Sequence, residues 1–439
     1  MVDLTLDPGA RRAILDAVDA GRGETEALLA RLVRHRSLLG DERGALDEMA
    51  AAYEGLDLAP RSVPTDPHQL GAVPGWSPPL ISYAGRDNVA AIHTPRGERR
   101  GRSLMLQGHV DVVPEGAADL WTTPPFEPSV RDGRMYGRGA ADMKAGLAGI
   151  VGALAALRRA GVQPAAEVQV AAVVEEECTG NGALAVLHAL PRPDACLIPE
   201  PGPGFLAICT AEVGVVWAWV TVTGRPAHVR EMHAGVNALD AAYALVERFR
   251  AYELEMNRAE RRHPAFAGEN HPINVNFGTI EGGEWTSSVP TRARISLRVG
   301  VMPGYSCEDV RRDVERLVAD AGGDPRLRGA RLAVEFRGFL ADGCAFPAEQ
   351  PIYQAVLAAH RAVAGEAPRQ VPILGLTDAR HYVLHGGIQA AVYGPDGDAI
   401  HGIDESVDLD SAHQVTKTIA LLIARWCGLE PAVPRGGAA

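Results

Sequence analysis

Residues 167–183 read EVQVAAVVEEECTGNGA, an apolar segment that ends in three consecutive acidic residues and a turn. The apolar part has the period of two that is typical of a β-strand. Further strand-like segments, 88–94, 103–110 and 194–199, alternate with helix-length segments such as Lys144–Arg159. This alternation predicts an α/β fold whose mixed, mainly parallel sheet is doubly wound and flanked by helices.

The order of predicted strands and helices changes after about Thr210. The predicted elements there are, in order, a strand at 215–224, a helix at 234–256, strands at 273–280 and 292–300, a helix capped by Ser306 and Asp309, and a strand at 331–339. The order βαββαβ predicts a smaller, two-layer α+β unit of the ferredoxin-like kind.

The α/β pattern resumes at about Ala341, with a helix, a strand at 387–394 and a closing helix. A helical pattern and a proline-rich loop over 60–79 begin the chain. We therefore predict a large domain made of residues 1–210 plus 341–439, interrupted by a small domain at 211–340. A chain of 439 residues is long enough for two such cores.

The charge balance bears on the partners of the protein. Lysine and arginine number 43 against 55 acidic residues, which gives a net charge of −12. Nucleic acids and anionic membranes attract basic surfaces, so neither is expected as a partner. A small-molecule substrate is expected instead.

The compartment is also predicted from the sequence. The first residues, MVDLTLDPGARRAILDAV, lack the basic and apolar regions of a secretory signal, and the apolar stretches fall short of a membrane span. The six cysteines are scattered without a CxxC pair. A cytoplasmic protein without disulfides or a thiolate metal site is expected.

Five segments place metal-binding side chains just after predicted strands or turns, where open α/β sheets hold their sites. These side chains are His109 with Asp111 in LMLQGHVDVVPEG, Asp142 in GRGAADMKAG, the acidic run 175–177, Glu200 in LIPEPGPG, and His401 in AIHGIDESVDL. In an extended H-x-D the two side chains share one side of the strand. One can then bind a metal while the other accepts the opposite N–H of the imidazole.

The donor set indicates the metal. Two imidazoles and several carboxylates suit zinc or a similar first-row metal such as cobalt or manganese. These donors are more than one catalytic zinc ion can bind while it keeps a coordination position open for water or substrate. Two ions about 3.5–4 Å apart, sharing one carboxylate, would use them all.

These segments resemble the dinuclear-zinc deacylase and peptidase family that includes acetylornithine deacetylase, succinyl-diaminopimelate desuccinylase, aminoacylase and the glutamate carboxypeptidases. The resemblance runs from about Asn88 to the C-terminal helix and is most specific in GHVDVVP (108–114), W-x-x-x-PF (121–126) and MYGRGAADMKAG (135–146). It implies that the large domain is the metal-binding catalytic domain and that the small domain is a lid used in dimerisation.

The resemblance also implies roles at two metal sites. His109 and Glu200 would complete one site, Glu177 and His401 the other, and Asp142 would bridge both ions. Asp111 would orient His109. The peptide bond between Asp142 and Met143 is expected to be cis.

Glu176 resembles the general base of the family. Because Glu175 also precedes, the register of the acidic run has to be chosen, and alignment on the TGNG turn (179–182) makes Glu177 the ligand and Glu176 the base. The implied reaction is hydrolysis of an amide bond in a small N-acyl amino acid, acetylornithine-deacetylase-like, by a metal-activated water. A dipeptidase or carboxypeptidase, or a deformylase of an N-formyl amine, would use the same metal chemistry and stays open.

Further residues resemble the family's substrate contacts. His228 resembles the lid histidine that reaches the site of a neighbouring subunit, which implies a homodimer. Arg298 resembles the lid arginine, and Thr377 with Arg380 the anion contact of the large domain; guanidinium groups fit carboxylates. Ser287 stands where many relatives carry an asparagine, so the acyl group is not determined.

Competing functions lack essential features. Residues 202–207 have the glycine spacing of a dinucleotide loop, but Pro203 and the strand-like segment behind it exclude the required helix. GYSCE at 304–308 lacks the closing glycine of a serine-hydrolase turn. A non-enzymatic binding protein with this fold would have lost a ligand or the base, whereas all are present.

Overall fold

The computed structural model describes residues 6–432, apart from the side chains of residues 321 and 322. Its α-helices are α1 (Pro8–Ala20), α2 (Arg22–Arg34), α3 (Arg43–Glu54), α4 (Pro67–Leu70), α5 (Ala145–Arg159), α6 (Asn181–Ala189), α7 (Ala238–Met256), α8 (Cys307–Ala319), α9 (Pro351–Ala364) and α10 (Leu409–Cys427).

The β-strands, several of them only two or three residues long, follow in the same numbering. They are β1 (Arg61–Val63), β2 (Asn88–His93), β3 (Leu104–His109), β4 (Ser129–Arg131), β5 (Arg134–Tyr136), β6 (Val162–Pro164), β7 (Val168–Val173), β8 (Ala195–Ile198), β9 (Gly202–Pro203), β10 (Ala207–Glu212), β11 (Gly214–Thr223), β12 (Val275–Gly282), β13 (Arg292–Val301), β14 (Arg331–Ala341), β15 (Cys344–Ala345), β16 (Arg369–Ile373), β17 (Gln389–Gly394), β18 (Asp396–Asp398), β19 (Ser406–Asp408) and β20 (Leu429–Pro431).

The main sheet of the large domain has the order β1-β2-β7-β3-β8-β17-β10-β15, with β16 also paired to β10. Its centre, from β7 through β3 and β8 to β17, is parallel, and its outer pairs are mostly antiparallel. Every residue of β3 and β7 is buried, because helices pack on the sheet. The predicted mixed α/β sheet is confirmed.

The register of the central strands positions the polar residues that follow them. Along the parallel pair β3–β7, Leu104 lies opposite Val168 and His109 lies opposite Val173. The chain after β7 therefore enters the acidic run beside His109.

The lid is a single antiparallel sheet of order β12-β13-β11-β14 with helices α7 and α8 packed on it. Its sequence of elements is the predicted βαββαβ, and Ser306 and Asp309 form the predicted capping box of α8. The chain passes from β10 into the lid at Val213 and returns to β15 through residues 342 and 343. The two connections run side by side, since a Cβ at Gly343 would meet the main-chain oxygen of Glu212 at 2.6 Å.

A second small sheet, of order β4-β5-β19-β18-β9, lies in the large domain and was not predicted. Its strands have two or three residues, too few for a periodic pattern. The proline-rich loop likewise contains β1 and α4, where only loop was expected.

The helical stretch Ala140–Arg159 is long and apolar enough to cross a membrane by length and composition, but 78% of its most apolar window is buried inside the protein. Helix α5, which forms most of it, packs against α1, α2 and α10. It is thus a core helix of the large domain.

Candidate metal centre

Imidazoles and carboxylates from separate parts of the chain converge beyond the carboxyl ends of β3, β7 and β8. Within the described residues, three overlapping groups have ligand atoms within 4.8 Å of one another. The groups are His109–Glu176–Glu177, His109–Asp142–Glu200 and Asp142–Glu177–His401. The five predicted metal ligands and the predicted base are therefore brought together.

Asp142 divides this cluster into two halves. Its Oδ1 lies 3.1 Å from His109 Nε2, and its Oδ2 lies 3.2 Å from His401 Nε2. Glu200 Oε1 is 3.6 Å from the first histidine, and Glu177 Oε1 is 3.0 Å from the second. One carboxylate thus faces a His/Glu pair on each side, which is the arrangement of a bridged two-ion site.

His109 is held by the residue expected to orient it, but through a different atom. Its Nδ1 donates to the main-chain oxygen of Asp111 at 2.8 Å, so Nε2 is the ring nitrogen that faces the cluster. The Asp111 carboxylate, 3.7 Å from Nδ1, instead accepts from the main-chain N–H groups of Glu176 and Glu177, at 3.2 and 3.0 Å. The side chain is turned to the acidic run because those two N–H groups would otherwise be buried without partners.

Two buried carboxylate oxygens of the cluster, Glu176 Oε1 and Glu200 Oε1, have no hydrogen-bond partner in the described part of the chain. Burial raises the pKa of both carboxyl groups well above the ordinary value. Buried carboxylates without partners are costly unless they bind a cation. The site therefore fits divalent ions, with oxygen and nitrogen donors of the kind that zinc accepts.

The second histidine sits at the entrance of the cluster. The His401 side chain is 50% exposed, and its backbone is left-handed with a φ of 61°. The Glu177 carboxylate raises the pKa of His401 to about 11. The ring is thus close to anions and open to solvent, as a ligand at the mouth of a substrate site needs to be.

A buried ion pair that the sequence analysis missed holds the bridging residue. Glu405 Oε2 accepts from Arg138 Nη1 at 2.6 Å and from Gly139 N at 3.1 Å. Its Oε1 accepts from the main-chain N–H groups of Ala141 and Asp142, at 3.0 and 3.1 Å. The available signal was an acid four residues after His401 in HGIDE. The Asp142–Met143 peptide bond is cis, as predicted.

The predicted substrate contacts of the large domain already have partners in the protein. Thr377 donates from both its N–H and its hydroxyl to Glu212 Oε2, at 3.0 and 2.7 Å. Arg380 is buried and donates to the main-chain oxygens of Thr377 and Thr179, at 3.0 and 2.9 Å. Burial raises the pKa of Glu212 to about 7.

The predicted lid residues have the following contacts within their own chain. Arg298 Nη2 donates to Leu374 O at 3.4 Å and has no ion pair among the described residues. His228 is exposed, and its Nδ1 accepts from Arg230 N at 3.1 Å. Ser287 is exposed on the loop beside it. None of the three groups of potential metal ligands includes a lid residue.

Comparison with known proteins identifies relatives over most of the chain. A family model described as peptidase family M20/M25/M40 matches residues 105–425. The succinyl-diaminopimelate desuccinylase of Gluconacetobacter diazotrophicus is 30% identical over 410 residues, which cover 90% of this chain and 95% of that protein. The N-formyl-4-amino-5-aminomethyl-2-methylpyrimidine deformylase of Halalkalibacterium halodurans is 27% identical over 380 residues, covering 80% and 85% respectively.

Solved structures share the fold at lower identity. Human carnosine dipeptidase 1 superposes with a TM-score of 0.75 at 17% identity, covering 96% of this chain and all of that one. An M20 family metallo-carboxypeptidase from Sulfolobus solfataricus has a TM-score of 0.70 at 15% identity, covering 92% and 99%.

Proposed function

The chain belongs to the peptidase family M20/M25/M40 and is a metallohydrolase of amide bonds, and we propose that its substrate is a small N-acyl amino acid. The observation that carries the hydrolytic chemistry is the two-sided contact of Asp142 with His109 and His401. The choice of an N-acyl amino acid is supported by the desuccinylase relative, which is 30% identical over 90% of this chain. One carboxylate between two imidazoles provides a place for two ions next to a buried base.

The donor set supports zinc as the bound metal, two ions per subunit, and the same donors accept cobalt or manganese. His109, Asp142 and Glu200 would hold one ion, and Asp142, Glu177 and His401 the other. When bound, the ions polarise the amide carbonyl and make a water a stronger acid.

The chain's own residues would move the proton. Glu176 has one carboxylate oxygen without a protein partner, so that oxygen is available to take a proton from the attacking water. The same carboxyl group would then give the proton to the leaving nitrogen. Because Asp111 fixes the main chain of Glu176, the base is held in place for both transfers.

Recognition of a substrate carboxylate is proposed for Arg298. Its guanidinium group makes one long hydrogen bond and no ion pair within the described residues, which leaves donors for a ligand. Thr377 and Arg380 are further proposed contacts, but their donors would have to leave Glu212 and main-chain oxygens to reach a substrate.

A second candidate is a deformylase of an N-formyl amine. The relative named as a deformylase is 27% identical to this chain, almost as similar as the desuccinylase at 30%. A dipeptidase or carboxypeptidase is the third candidate, supported by the fold shared with carnosine dipeptidase and with the Sulfolobus metallo-carboxypeptidase.

We propose a homodimer in which His228 completes the partner's site as a neutral donor to the oxyanion. This is supported by the exposure of His228 and by its absence from the three groups of potential metal ligands. A cytoplasmic location is supported by six cysteines that form no disulfide.

Replacement of the base tests the proposed function. Glu176→Gln is expected to abolish hydrolysis of N-acetyl, N-succinyl and N-formyl amines, because an amide cannot take the proton. Zinc content, measured by elemental analysis, should stay at the wild-type value. Glu366→Gln, at an exposed glutamate, is the matched control and should leave both quantities unchanged. Wild-type turnover in Glu176→Gln would remove Glu176 from the reaction.

A further inference from the structure

The three consecutive glutamates after β7 send their side chains to two different places. Glu176 and Glu177 face the metal cluster, with oxygens 3.9 Å from His109 Nε2 and 3.0 Å from His401 Nε2. Glu175 has a left-handed backbone, with a φ of 63°, and its fully buried side chain points elsewhere. A left-handed φ is uncommon for glutamate, so the surroundings of this residue must hold it there.

The Glu175 carboxylate is bound on both of its oxygens. Oε1 accepts from Arg86 Nη1 at 2.5 Å, and Oε2 accepts from the Tyr83 hydroxyl at 2.5 Å and the Thr179 hydroxyl at 2.7 Å. Arg86 also forms a buried ion pair with Glu42. The acidic run is thereby tied to a segment about 90 residues earlier in the chain.

The same segment is fixed at a second point. Asn181, at the start of α6, accepts from Ser77 N at 3.0 Å and donates to Ser77 O at 2.8 Å and to the Tyr83 hydroxyl at 2.9 Å. The Ser77 hydroxyl in turn accepts from Leu340 N on lid strand β14 at 3.2 Å. Ser77, Tyr83 and Arg86 are buried, whereas residues 81, 82, 84 and 85 between them are exposed. The three buried residues form a support behind the acidic run.

The acidic run is therefore held from two sides. On the side of the cluster, the Asp111 carboxylate binds the main-chain N–H groups of Glu176 and Glu177. On the far side, the Glu175 side chain anchors the residue at which the chain turns. If that anchor were lost, Glu175 could relax to a right-handed backbone, and the two following side chains would rotate away from the cluster.

We propose that Glu175 is a positioning residue: held by Arg86 and Tyr83, it directs Glu176 and Glu177 to the metal cluster. The proposal rests on the proposed function, since it assigns Glu175 its effect through the base and a metal ligand. Groups that orient metal ligands typically change metal affinity or activity about 10–100-fold when they are replaced.

Two substitutions test the proposal. Tyr83→Phe removes one hydroxyl without changing the shape of the side chain, and Glu175→Gln removes the charge that pairs with Arg86. In both, we expect the dissociation constant for Zn²⁺, titrated into the metal-stripped full chain, to rise about 10-fold. The kcat of the zinc-loaded protein should fall by about the same factor, with KM within about twofold, because the substrate contacts are untouched.

Tyr53→Phe is the matched control. The Tyr53 hydroxyl is buried without a hydrogen-bond partner in the described part of the chain and lies outside this support. Its removal should change neither zinc affinity nor kcat. If Glu175→Gln does not fold, Tyr83→Phe decides alone.

Wild-type zinc affinity and kcat in folded Tyr83→Phe would overturn the positioning role, even if its melting temperature fell. Glu176→Gln, measured in parallel, separates the two hypotheses. An inactive Glu176→Gln beside a fully active Tyr83→Phe overturns the positioning role alone. An active Glu176→Gln overturns the proposed base, and the zinc affinity of Tyr83→Phe then decides whether Glu175 positions the ligand Glu177.

Discussion

At the scale of single residues, buried carboxylates in this protein differ in what surrounds them. Glu176 has an oxygen without a partner, whereas Glu212 has protein donors around it from Thr377 and Cys344. Glu212 ends β10, one residue before the chain enters the lid. Both carboxyl groups have a raised pKa because burial disfavours the charged form.

The raised pKa of Glu212 predicts how the free energy of unfolding depends on pH. In the unfolded chain this group loses its proton near its ordinary value of 4.5, but in the folded protein only at about 7. The folded state therefore binds more protons between these values, so stability falls as the pH rises from about 4.5 to 7. We expect Glu212→Gln, which cannot ionise, to lack this loss, which amounts to about 3–4 kcal/mol.

Denaturant unfolding of both proteins from pH 5 to pH 8 measures this contribution. The difference between wild type and variant cancels the other titrating groups. A difference that does not change with pH would show that Glu212 has an ordinary pKa.

At the scale of elements, strands and turns position the side chains of the candidate metal centre. Parallel strands β3 and β8 end at His109 and shortly before Glu200, while the loop between β18 and β19 carries His401. The turn before α5 carries Asp142, and Glu405 binds four donors around it. The geometry of the bridge thus depends on a residue that does not itself face the cluster.

Glu405→Gln tests this dependence. Glutamine has one oxygen and one NH₂ group. Some of the N–H donors that now bind the Glu405 carboxylate would therefore face an NH₂ group instead of an acceptor. We expect zinc affinity to fall about 10–100-fold. Glu430→Gln is the control: Glu430 also accepts from main-chain N–H groups, those of Arg96 and Gly97, but it lies on β20, in a two-stranded sheet with β6 that carries none of the potential metal ligands. An equal loss of zinc affinity in both variants would indicate general destabilisation.

Helices and strands with a clear hydrophobic period, and the polar residues at their ends, could be predicted from the sequence. Strands β3, β7 and β8 could be predicted because each is an apolar segment that is soon followed by a polar residue. The sheet containing β18 and β19 was missed, since strands of three residues show no alternation. The support of Glu175 could not be predicted either, because Tyr83 lies 92 residues away and only folding brings them together.

At the scale of the whole molecule, the lid carries predicted substrate residues, and none of its residues belongs to the groups of potential metal ligands in the described part of the chain. His228 and Trp285 lie on adjacent lid segments, and the Trp285 side chain is 74% exposed. A large exposed aromatic beside an exposed histidine suits a contact with a second subunit. The proposed dimer gives these residues a function.

Mixed dimers test this assignment. His228→Ala and Glu176→Gln should each be nearly inactive as homodimers. When the two are unfolded together and refolded, half of the dimers are mixed, and each mixed dimer has one site with both residues intact. We expect roughly a quarter of the wild-type activity to return if His228 acts in trans. No recovery, with mixed dimers verified by mass spectrometry of differently tagged chains, would place His228 in its own site or outside the reaction.

The insertion of the lid also sets an order for biosynthesis. β17 pairs with β8 in the main sheet, yet the lid separates them in the chain, and His401 follows Glu200 by about 200 residues. At roughly 5–20 residues per second, a ribosome needs about 10–40 s to make that stretch. During this interval the nascent large domain has four of the five predicted ligands and an unpaired edge on β8, while the lid is contiguous in sequence. We therefore expect the proposed metal centre to be completed late, when nearly the whole polypeptide has been synthesised.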